Sequence, residues 1–307
     1  TFESCGETLD MAELQEIWES KLEPVYPYRK AGPAVEKING SLTAPAAPKI
    51  GVAKPKVIIP VFPGTNCEYD AERAFRRAGA KPRSLVINNL TPQAVSESVT
   101  AMVRAIGESQ IIMIPGGFSG GDEPDGSAKF ITAFFRAPAV TEAVRDLLNN
   151  RDGLMLGICN GFQMLAEARL VPGAHGRNDC GTFVRRDQIL TVENNETAWT
   201  RDFSKGEEIV IPLKNADGRF VADADTIKRI EDNGQVTFRY VGVNPNGSLD
   251  DIAGVSNEAG NVVGLMPHPE HAVEPGFGPD MPDAMRSGLD GLKFFTSVIQ
   301  NSLLAKA

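Results

Sequence analysis

The sequence predicts an α/β fold: an open, mostly parallel sheet flanked by helices, with a small antiparallel insertion. Three observations carry this expectation. From Lys56 onward, short continuously apolar runs alternate with longer amphipathic stretches, as expected of strands buried on both faces beneath crossover helices. Each apolar run ends at or beside Gly, Pro or Asn, where a strand stops. Between 182 and 240 the pattern changes to two-residue alternation, as in Thr237-Phe238-Arg239-Tyr240, which suggests antiparallel strands at one side.

In chain order, residues 1–30 hold one short amphipathic stretch. Met11, Leu14, Ile17 and Trp18 recur at helical spacing behind Asp10, a suitable N-cap, but this unit is too small to fold alone. Residues 31–54, centred on Ala44-Pro45-Ala46-Ala47-Pro48, read as a semi-rigid linker and place a domain boundary before the main domain at 55–307. The apolar runs 57–62, 84–87, 110–114, 154–158 and 262–266 are the expected parallel strands. Helices are expected over 68–78, 92–106 and 127–149, the last broken at Pro138 because proline removes a helix donor and clashes with the preceding turn. A C-terminal helix follows from Leu292, Phe295, Ile299 and Leu303 at three- and four-residue steps.

Composition excludes several roles. The 307 residues carry 31 Lys+Arg against 40 Asp+Glu, a formal net charge of −9, so a nucleic-acid partner is not expected. No apolar run approaches the roughly 18 residues of a membrane span. The N-terminus Thr1-Phe2-Glu3-Ser4 has no features of a signal peptide. No membrane partner and a cytoplasmic location are therefore expected. The four cysteines, at 5, 67, 159 and 180, form no Cys-x-x-Cys pair, which argues against a disulfide framework and a structural zinc site; no metal is expected. Each cysteine stands alone, as core filler or as nucleophile.

In open α/β sheets the reactive groups lie just beyond the carboxyl ends of the strands. The sharpest candidate is the strand-to-helix turn Gly157-Ile158-Cys159-Asn160-Gly161, continuing into Phe162-Gln163. Its glycines permit a tight elbow that projects Cys159, and a helix N-terminus behind it stabilises negative charge. A lone cysteine is more often a small buried hydrophobe, but the flanking glycines favour a nucleophile here. A second strand ends at Pro267-His268-Pro269-Glu270, where two prolines stiffen a candidate base. In extended backbone His268 and Glu270 point to one side, so the carboxylate can orient the imidazole; His271 points the other way and is expected to be solvated. The bland alternative is a surface turn with solvated side chains. Third, Pro115-Gly116-Gly117-Phe118-Ser119-Gly120-Gly121-Asp122 lacks the Lys of a phosphate-binding loop, and reads as half of an oxyanion hole with the Asn160 N–H as the other half. At the fourth strand end, Phe62-Pro63-Gly64-Thr65-Asn66-Cys67-Glu68, Cys67 has neither an elbow nor a histidine nearby in sequence and is expected to be a packing residue. His175, in Pro172-Gly173-Ala174-His175-Gly176, is expected to be structural.

The Cys159 and His268 segments together resemble the class I, triad-type glutamine amidotransferases, whose fold is flavodoxin-like. Phe62-Pro63-Gly64-Thr65-Asn66-Cys67-Glu68 and Asn244-Pro245-Asn246-Gly247-Ser248, followed by Ile252-Ala253-Gly254, narrow the resemblance to the glutaminase part of phosphoribosylformylglycinamidine synthases. The resemblance covers about 55–303, and it makes residues 1–30 look like the end of the synthetase part of the long single-chain form. It implies L-glutamine as substrate and Cys159, His268 and Glu270 as nucleophile, base and orienter. Gly117 and Asn160 would supply the oxyanion hole, and Gly116, Phe118 and Gln163 further substrate contacts. No cofactor is implied for this chain. The partner would be the synthetase domain of the same enzyme, and ATP and magnesium would belong there. Two departures stand out. Asn178-Asp179-Cys180 has cysteine where the family usually has serine, and Gly121-Asp122 runs into Glu123-Pro124-Asp125-Gly126 where an aromatic and a basic residue are usual. The rivals are a free-standing cysteine hydrolase or peptidase of the same fold, the glutaminase subunit of another amidotransferase, and a non-catalytic module. Peptidases of this fold generally carry the histidine soon after the cysteine, and a non-catalytic module would have lost one of the three triad residues.

Overall fold

The computed structural model describes residues 2–4, 7–20, 52, 54–118, 128–275 and 288–303. At the N-terminus, β1 (Phe2–Ser4) pairs antiparallel with β2 (Glu7–Leu9), and α1 (Met11–Ser20) follows. Asp10 caps this helix as expected, its Oδ1 accepting from the Glu13 N–H at 3.3 Å. The expected linker lies almost wholly outside the described residues, as does the loop after Phe118.

The main domain then runs β3 (Lys56–Val61), α2 (Glu68–Ala78), β4 (Lys81–Val86), α3 (Pro92–Glu108), β5 (Ile111–Ile114), α4 (Lys129–Phe135), α5 (Pro138–Asn150), β6 (Leu154–Ile158), α6 (Asn160–Glu167) and β7 (Ala174–Gly176). It continues with β8 (Val184–Val192), β9 (Glu208–Asn215), β10 (Arg219–Val221), α7 (Ala224–Asp232), β11 (Val236–Tyr240), β12 (Ile252–Ser256), β13 (Val262–Leu265) and α8 (Leu292–Leu303). A nine-stranded sheet has the order β4-β3-β5-β6-β13-β12-β11-β8-β9. Its first five strands are parallel and the rest antiparallel; β7 and β10 form a separate antiparallel pair.

Burial explains the central strands. Every residue of β5 and β6 is buried, and each large apolar side chain so removed from water contributes roughly 1.5–3 kcal/mol. The chain passes from β3 to β4 in one direction and from β5 to β6 in the other. Right-handed crossovers therefore set helices on both faces, with α2 against α8 and α3 against α5. Phe75 of α2 meets Phe295 of α8 edge to face at 5.0 Å, and Trp199 stacks on Phe294 at 5.7 Å, which seats the C-terminal helix. Pro138 divides the expected 127–149 helix, becoming the first residue of α5. No described helix is long and apolar enough to cross a membrane.

Two boundaries differ from expectation. Strand β4 begins at Lys81 rather than 84, because it is an edge strand: it pairs only with β3, so Pro82 can sit in it without a donor. The antiparallel part is also more extensive, four strands extending the same sheet. Among them β12 is a Gly-containing run that local pattern does not mark as a strand. Its Gly254 is required by packing, since a Cβ there would lie 2.9 Å from the Gly264 carbonyl oxygen.

The order places a topological switch between β3 and β5, whose following connections leave in opposite directions. Strands β3, β5, β6 and β13 are consecutive and parallel. Their carboxyl ends, carrying Cys67, Gly116, Cys159 and His268, therefore converge.

Candidate active site

Cys159 closes β6 and caps α6 with φ 53° and ψ −106°, a left-handed conformation that costs a non-glycine residue of order 1–3 kcal/mol. Its N–H donates to the Leu265 carbonyl at 2.9 Å, and its own carbonyl accepts from Gln163 N–H at 3.1 Å, so both neighbours hold the strain in place. The flanking glycines serve a different purpose from the expected turn flexibility. A Cβ on Gly161 would meet the Ile114 carbonyl oxygen at 2.1 Å, and one on Gly157 the Gly161 carbonyl oxygen at 2.5 Å. They let α6 lie directly on the strands, and the strained residue is the cysteine itself.

Facing Cys159 is His268, whose backbone N–H donates to the Pro212 carbonyl at 2.8 Å. His268 and Glu270 are both buried, and the imidazole Nδ1 lies 2.6 Å from Glu270 Oε1. This pairing was expected, but its geometric cause is different. Residues Pro269–His271 form a 3-10 turn rather than extended backbone, which swings Glu270 back under the ring. Gly116 separates the parts: a Cβ there would stand 2.7 Å from His268 Cε1 and 3.4 Å from Cys159 Cβ. Only glycine leaves the two side chains open to each other.

Burial lowers the pKa of His268, but the Glu270 carboxylate and then Cys159 outweigh it and hold the imidazole well above its ordinary value. Burial raises Glu270, and the charge of His268 and its hydrogen bond bring it below the usual carboxylate range. Each member of the buried pair thus favours the charged form of the other.

Gly117 has φ 152° and bridges Thr65; the flanking bonds, Phe118 N–H to the Gly64 carbonyl (2.8 Å) and Asn66 N–H to the Gly116 carbonyl (3.2 Å), leave its own N–H out of the bridge. Asn160 is the first residue of α6, where helix N–H groups point outward. Its side chain donates to Gln163 Oε1 at 3.0 Å, and Gln163 Nε2 donates to the Asp217 carbonyl at 2.7 Å. Phe118 does not enter this cluster; it is half-exposed at the rim, 6.4 Å from Phe183.

Cys67 is buried at the start of α2, the packing position expected of it, and its Sγ also lies 3.9 Å from His268 Nδ1 and 3.8 Å from His271 Nε2, a proximity that sequence separation conceals. One expectation is corrected. His271 is not turned to solvent. The same 3-10 turn brings it inward, 2.9 Å from Lys214 Nζ, and burial lowers its pKa. His175 is structural, as expected, with its ring against Phe162 and Phe220.

The Asn-Pro-Asn-Gly-Ser string proves to be a brace. Asn246 Nδ2 donates to the Gly218 carbonyl at 2.9 Å, and Ser248 Oγ accepts from Phe220 N–H at 3.0 Å, fixing the turn after β9. That turn presents the Asp217 carbonyl to Gln163, and the Lys214 carbonyl lies 3.7 Å from Cys159 Sγ. Asn178 ties in from the other side, its Oδ1 accepting from Gly218 N–H at 3.1 Å. Cys180, where the family usually has serine, keeps a hydroxyl-like contact, with Sγ 3.4 Å from Thr182 Oγ1.

Residues 54–300 match the model of the CobB/CobQ-like glutamine amidotransferase domain. A relative from Leifsonia xyli, phosphoribosylformylglycinamidine synthase subunit PurQ, is 54% identical over 79% of this chain and 96% of its own. The PurQ subunit of Streptomyces coelicolor is 44% identical over 80% and 96% respectively. The solved PurLQS structure from Thermotoga maritima matches with 36% identity and a TM-score of 0.63, covering 80% of this chain and 98% of that one. The chain therefore belongs to the glutamine amidotransferase family of phosphoribosylformylglycinamidine synthase PurQ subunits.

Proposed function

We propose that this chain is the glutaminase of a phosphoribosylformylglycinamidine synthase, releasing ammonia from L-glutamine for an ATP-dependent amination carried out by a synthetase partner. The observation that carries the proposal is the convergence of strained Cys159 and Glu270-held His268 on either side of Gly116.

In this mechanism the Cys159 sulfur attacks the side-chain amide carbon of glutamine. The carbonyl electron pair moves onto oxygen, where the Gly117 and Asn160 N–H groups stabilise it. Collapse breaks the carbon–nitrogen bond, and the His268 imidazolium gives its proton to the leaving nitrogen, so ammonia departs and a thioester remains. Neutral His268 then takes a proton from water as that water attacks the thioester; glutamate leaves and the sulfur anion and imidazolium are restored. A raised His268 pKa suits the first half of this cycle, in which the ring acts as an acid. ATP and magnesium act in the synthetase part, and no step here runs through them.

A glutamine-like diazoketone is expected to alkylate Cys159 and to spare Cys5, Cys67 and Cys180, because Cys159 stands on the strained elbow beside the Gly117 and Asn160 N–H groups that would receive the reagent's carbonyl. Cys67, although it too starts a helix and lies 3.9 Å from His268 Nδ1, is 1% exposed. Peptide mass spectrometry after labelling checks this, and labelling centred on Cys67 would overturn the site assignment. Glu270→Gln is expected to lower kcat for glutamine hydrolysis by roughly 10⁴-fold, less than the roughly 10⁶-fold that loss of a triad nucleophile costs. The amide no longer balances the imidazolium, although the thiol remains. Equal losses for Glu270→Gln and Cys159→Ala, with melting curves unchanged, would assign Glu270 a larger part.

The finer proposal is that residues 1–30 end a synthetase part and 31–54 join it to the glutaminase, as in the long single-chain form. Detection of both activities on one polypeptide would support it, and a separately made glutaminase subunit would end it.

A further inference from the structure

We propose that Cys67, His268, Glu270 and His271 form a site for a soft divalent cation, Zn²⁺ above all, which captures the base in an unproductive state and reversibly inhibits glutamine turnover. One ligand atom from each of these residues lies within 4.8 Å of every other. A thiol, two imidazoles and a carboxylate are the donor set that zinc prefers. With metal–ligand bonds of about 2.0–2.3 Å, the edges of a tetrahedron are about 3.3–3.6 Å. The cluster nearly has this shape already. Cys67 Sγ is 3.9 Å from His268 Nδ1 and 3.8 Å from His271 Nε2, and Glu270 Oε1 is 3.7 Å from His271 Nε2. Contractions of a few tenths of an ångström suffice on those three edges. The 2.6 Å contact between His268 Nδ1 and Glu270 Oε1 must open, and the two remaining edges, Cys67 to Glu270 and His268 to His271, fall within the 4.8 Å that bounds the cluster.

The surroundings fit as well. Metal-bound histidines usually present their second nitrogen to a carboxylate, and His271 Nδ1 lies 3.6 Å from Asp70 Oδ2. Glu270 Oε2 is buried with no hydrogen-bond partner, so the carboxylate has a second oxygen to offer. The thiolate and carboxylate together balance the ion's two charges. Lys214 Nζ, 2.9 Å from His271 Nε2, must swing away, and its side chain is only partly buried.

Inhibition follows from the identity of the captured atom. His268 Nδ1 cannot bind a cation and donate to Glu270 at once. Binding thus removes the orientation and charge of the imidazole while leaving the Cys159 sulfur untouched. The inhibitory half of the proposal rests on the glutaminase function; the binding half does not.

The test titrates the chain with Zn²⁺ against a chromophoric chelator, and with Co²⁺ followed by absorption. The expected result is one ion per chain, with a thiolate-to-cobalt charge-transfer band and intense tetrahedral d–d bands. Cys67→Ser and His271→Gln are each expected to weaken binding by more than the roughly 10–100-fold that loss of an outer partner costs, whereas Cys159→Ala leaves it unchanged. In the hydrolysis assay zinc is expected to inhibit the wild type, a chelator to restore it, and Cys67→Ser to resist. No binding by the wild type overturns the proposal. So does binding lost in Cys159→Ala but kept in Cys67→Ser, which would put the ion on the nucleophile. If Cys67→Ser does not fold by circular dichroism, His271→Gln decides. A chain that binds zinc as described but hydrolyses no glutamine keeps the site and refutes the glutaminase function instead.

Discussion

Cys159→Ala, placed in the complete enzyme, is expected to lower glutamine-dependent synthesis by roughly 10⁶-fold while leaving synthesis from added ammonium salts within about twofold of wild type. The first effect follows from removal of the atom that forms the thioester; the groups left behind, an oxyanion hole and a positioned imidazolium, have no covalent intermediate to act on. The second follows from location. Cys159, His268 and Glu270 sit together at the ends of β6 and β13, and their chemistry ends with free ammonia. The substitution deletes one sulfur from a site already almost closed to solvent and asks no new backbone angle of the residue, so the elbow should persist. Steady-state rates with glutamine and with ammonium chloride, beside a thermal melt, decide the matter. Parallel loss of both activities at an unchanged melting temperature would mean that Cys159 also serves the amination. Many coupled enzymes complete their catalytic geometry only when the partner is loaded. The isolated chain is therefore expected to turn over glutamine more slowly than the same chain with its synthetase partner, ribonucleotide and ATP.

The triad was legible because its parts are marked locally. A cysteine between two glycines at a strand end, and a histidine between two prolines at another, each carry a backbone consequence that one segment reveals. The parallel strands were legible for the same reason, since a strand buried on both faces has to be apolar throughout. What escaped depends on tertiary placement. Cys67 and His268 are 201 positions apart, and only the strand order brings the ends of β3 and β13 together. An extended chain after Pro269 would turn His271 to solvent, whereas the 3-10 turn there returns its side chain to the site. Gly157 and Gly161 stand out in the sequence as turn residues, but what they supply is close approach of α6 to the sheet, which depends on tertiary packing. Asn246 and Ser248 resembled the family's diagnostic residues, yet their work is to brace the turn after β9, and pattern alone does not separate a brace from a ligand contact.

Acidification is expected to destabilise the fold through His175, and replacing that residue by leucine should remove the effect. Both ring nitrogens of His175 are buried without a hydrogen-bond partner, although the residue as a whole keeps some exposed surface. Its ring lies edge-on to Phe162 at 4.2 Å and Phe220 at 5.9 Å. Burial lowers its pKa to about 3, so the folded protein keeps the ring neutral where an unfolded chain would protonate it near 6.5. Between those values the unfolded state holds the extra proton, and stability is lost as pH falls below about 6.5, at about 1.4 kcal/mol per pH unit. Near pH 5 the loss from this residue alone is about 2 kcal/mol, with a ceiling of about 5 kcal/mol at the lower end. His268 has the opposite shift: its contribution is complete below about 6.5 and is lost only as pH rises through its raised folded value, so it does not mask the effect. Glu270, held below the ordinary carboxylate range, contributes above the unfolded carboxylate value and loses that contribution only as pH falls through its lower folded one. His175→Leu deletes two orphaned polar atoms from an apolar seat, and is expected to be neutral or stabilising at pH 7 and to flatten the pH dependence between 7 and 5. Urea unfolding of both proteins at the two pH values measures the difference, and equal slopes would show that His175 is solvated after all. The consequence reaches the active site, because Phe162 lies in α6 three residues after Cys159 and against Gly264, where a Cβ would stand 1.9 Å from its ring. Ring 175 thus shares its seat with the helix that holds the strained nucleophile, but the folded protein keeps the ring neutral down to about pH 3. Any earlier acid loss of glutamine turnover in the wild type than in His175→Leu should therefore come from unfolding and track the urea stability.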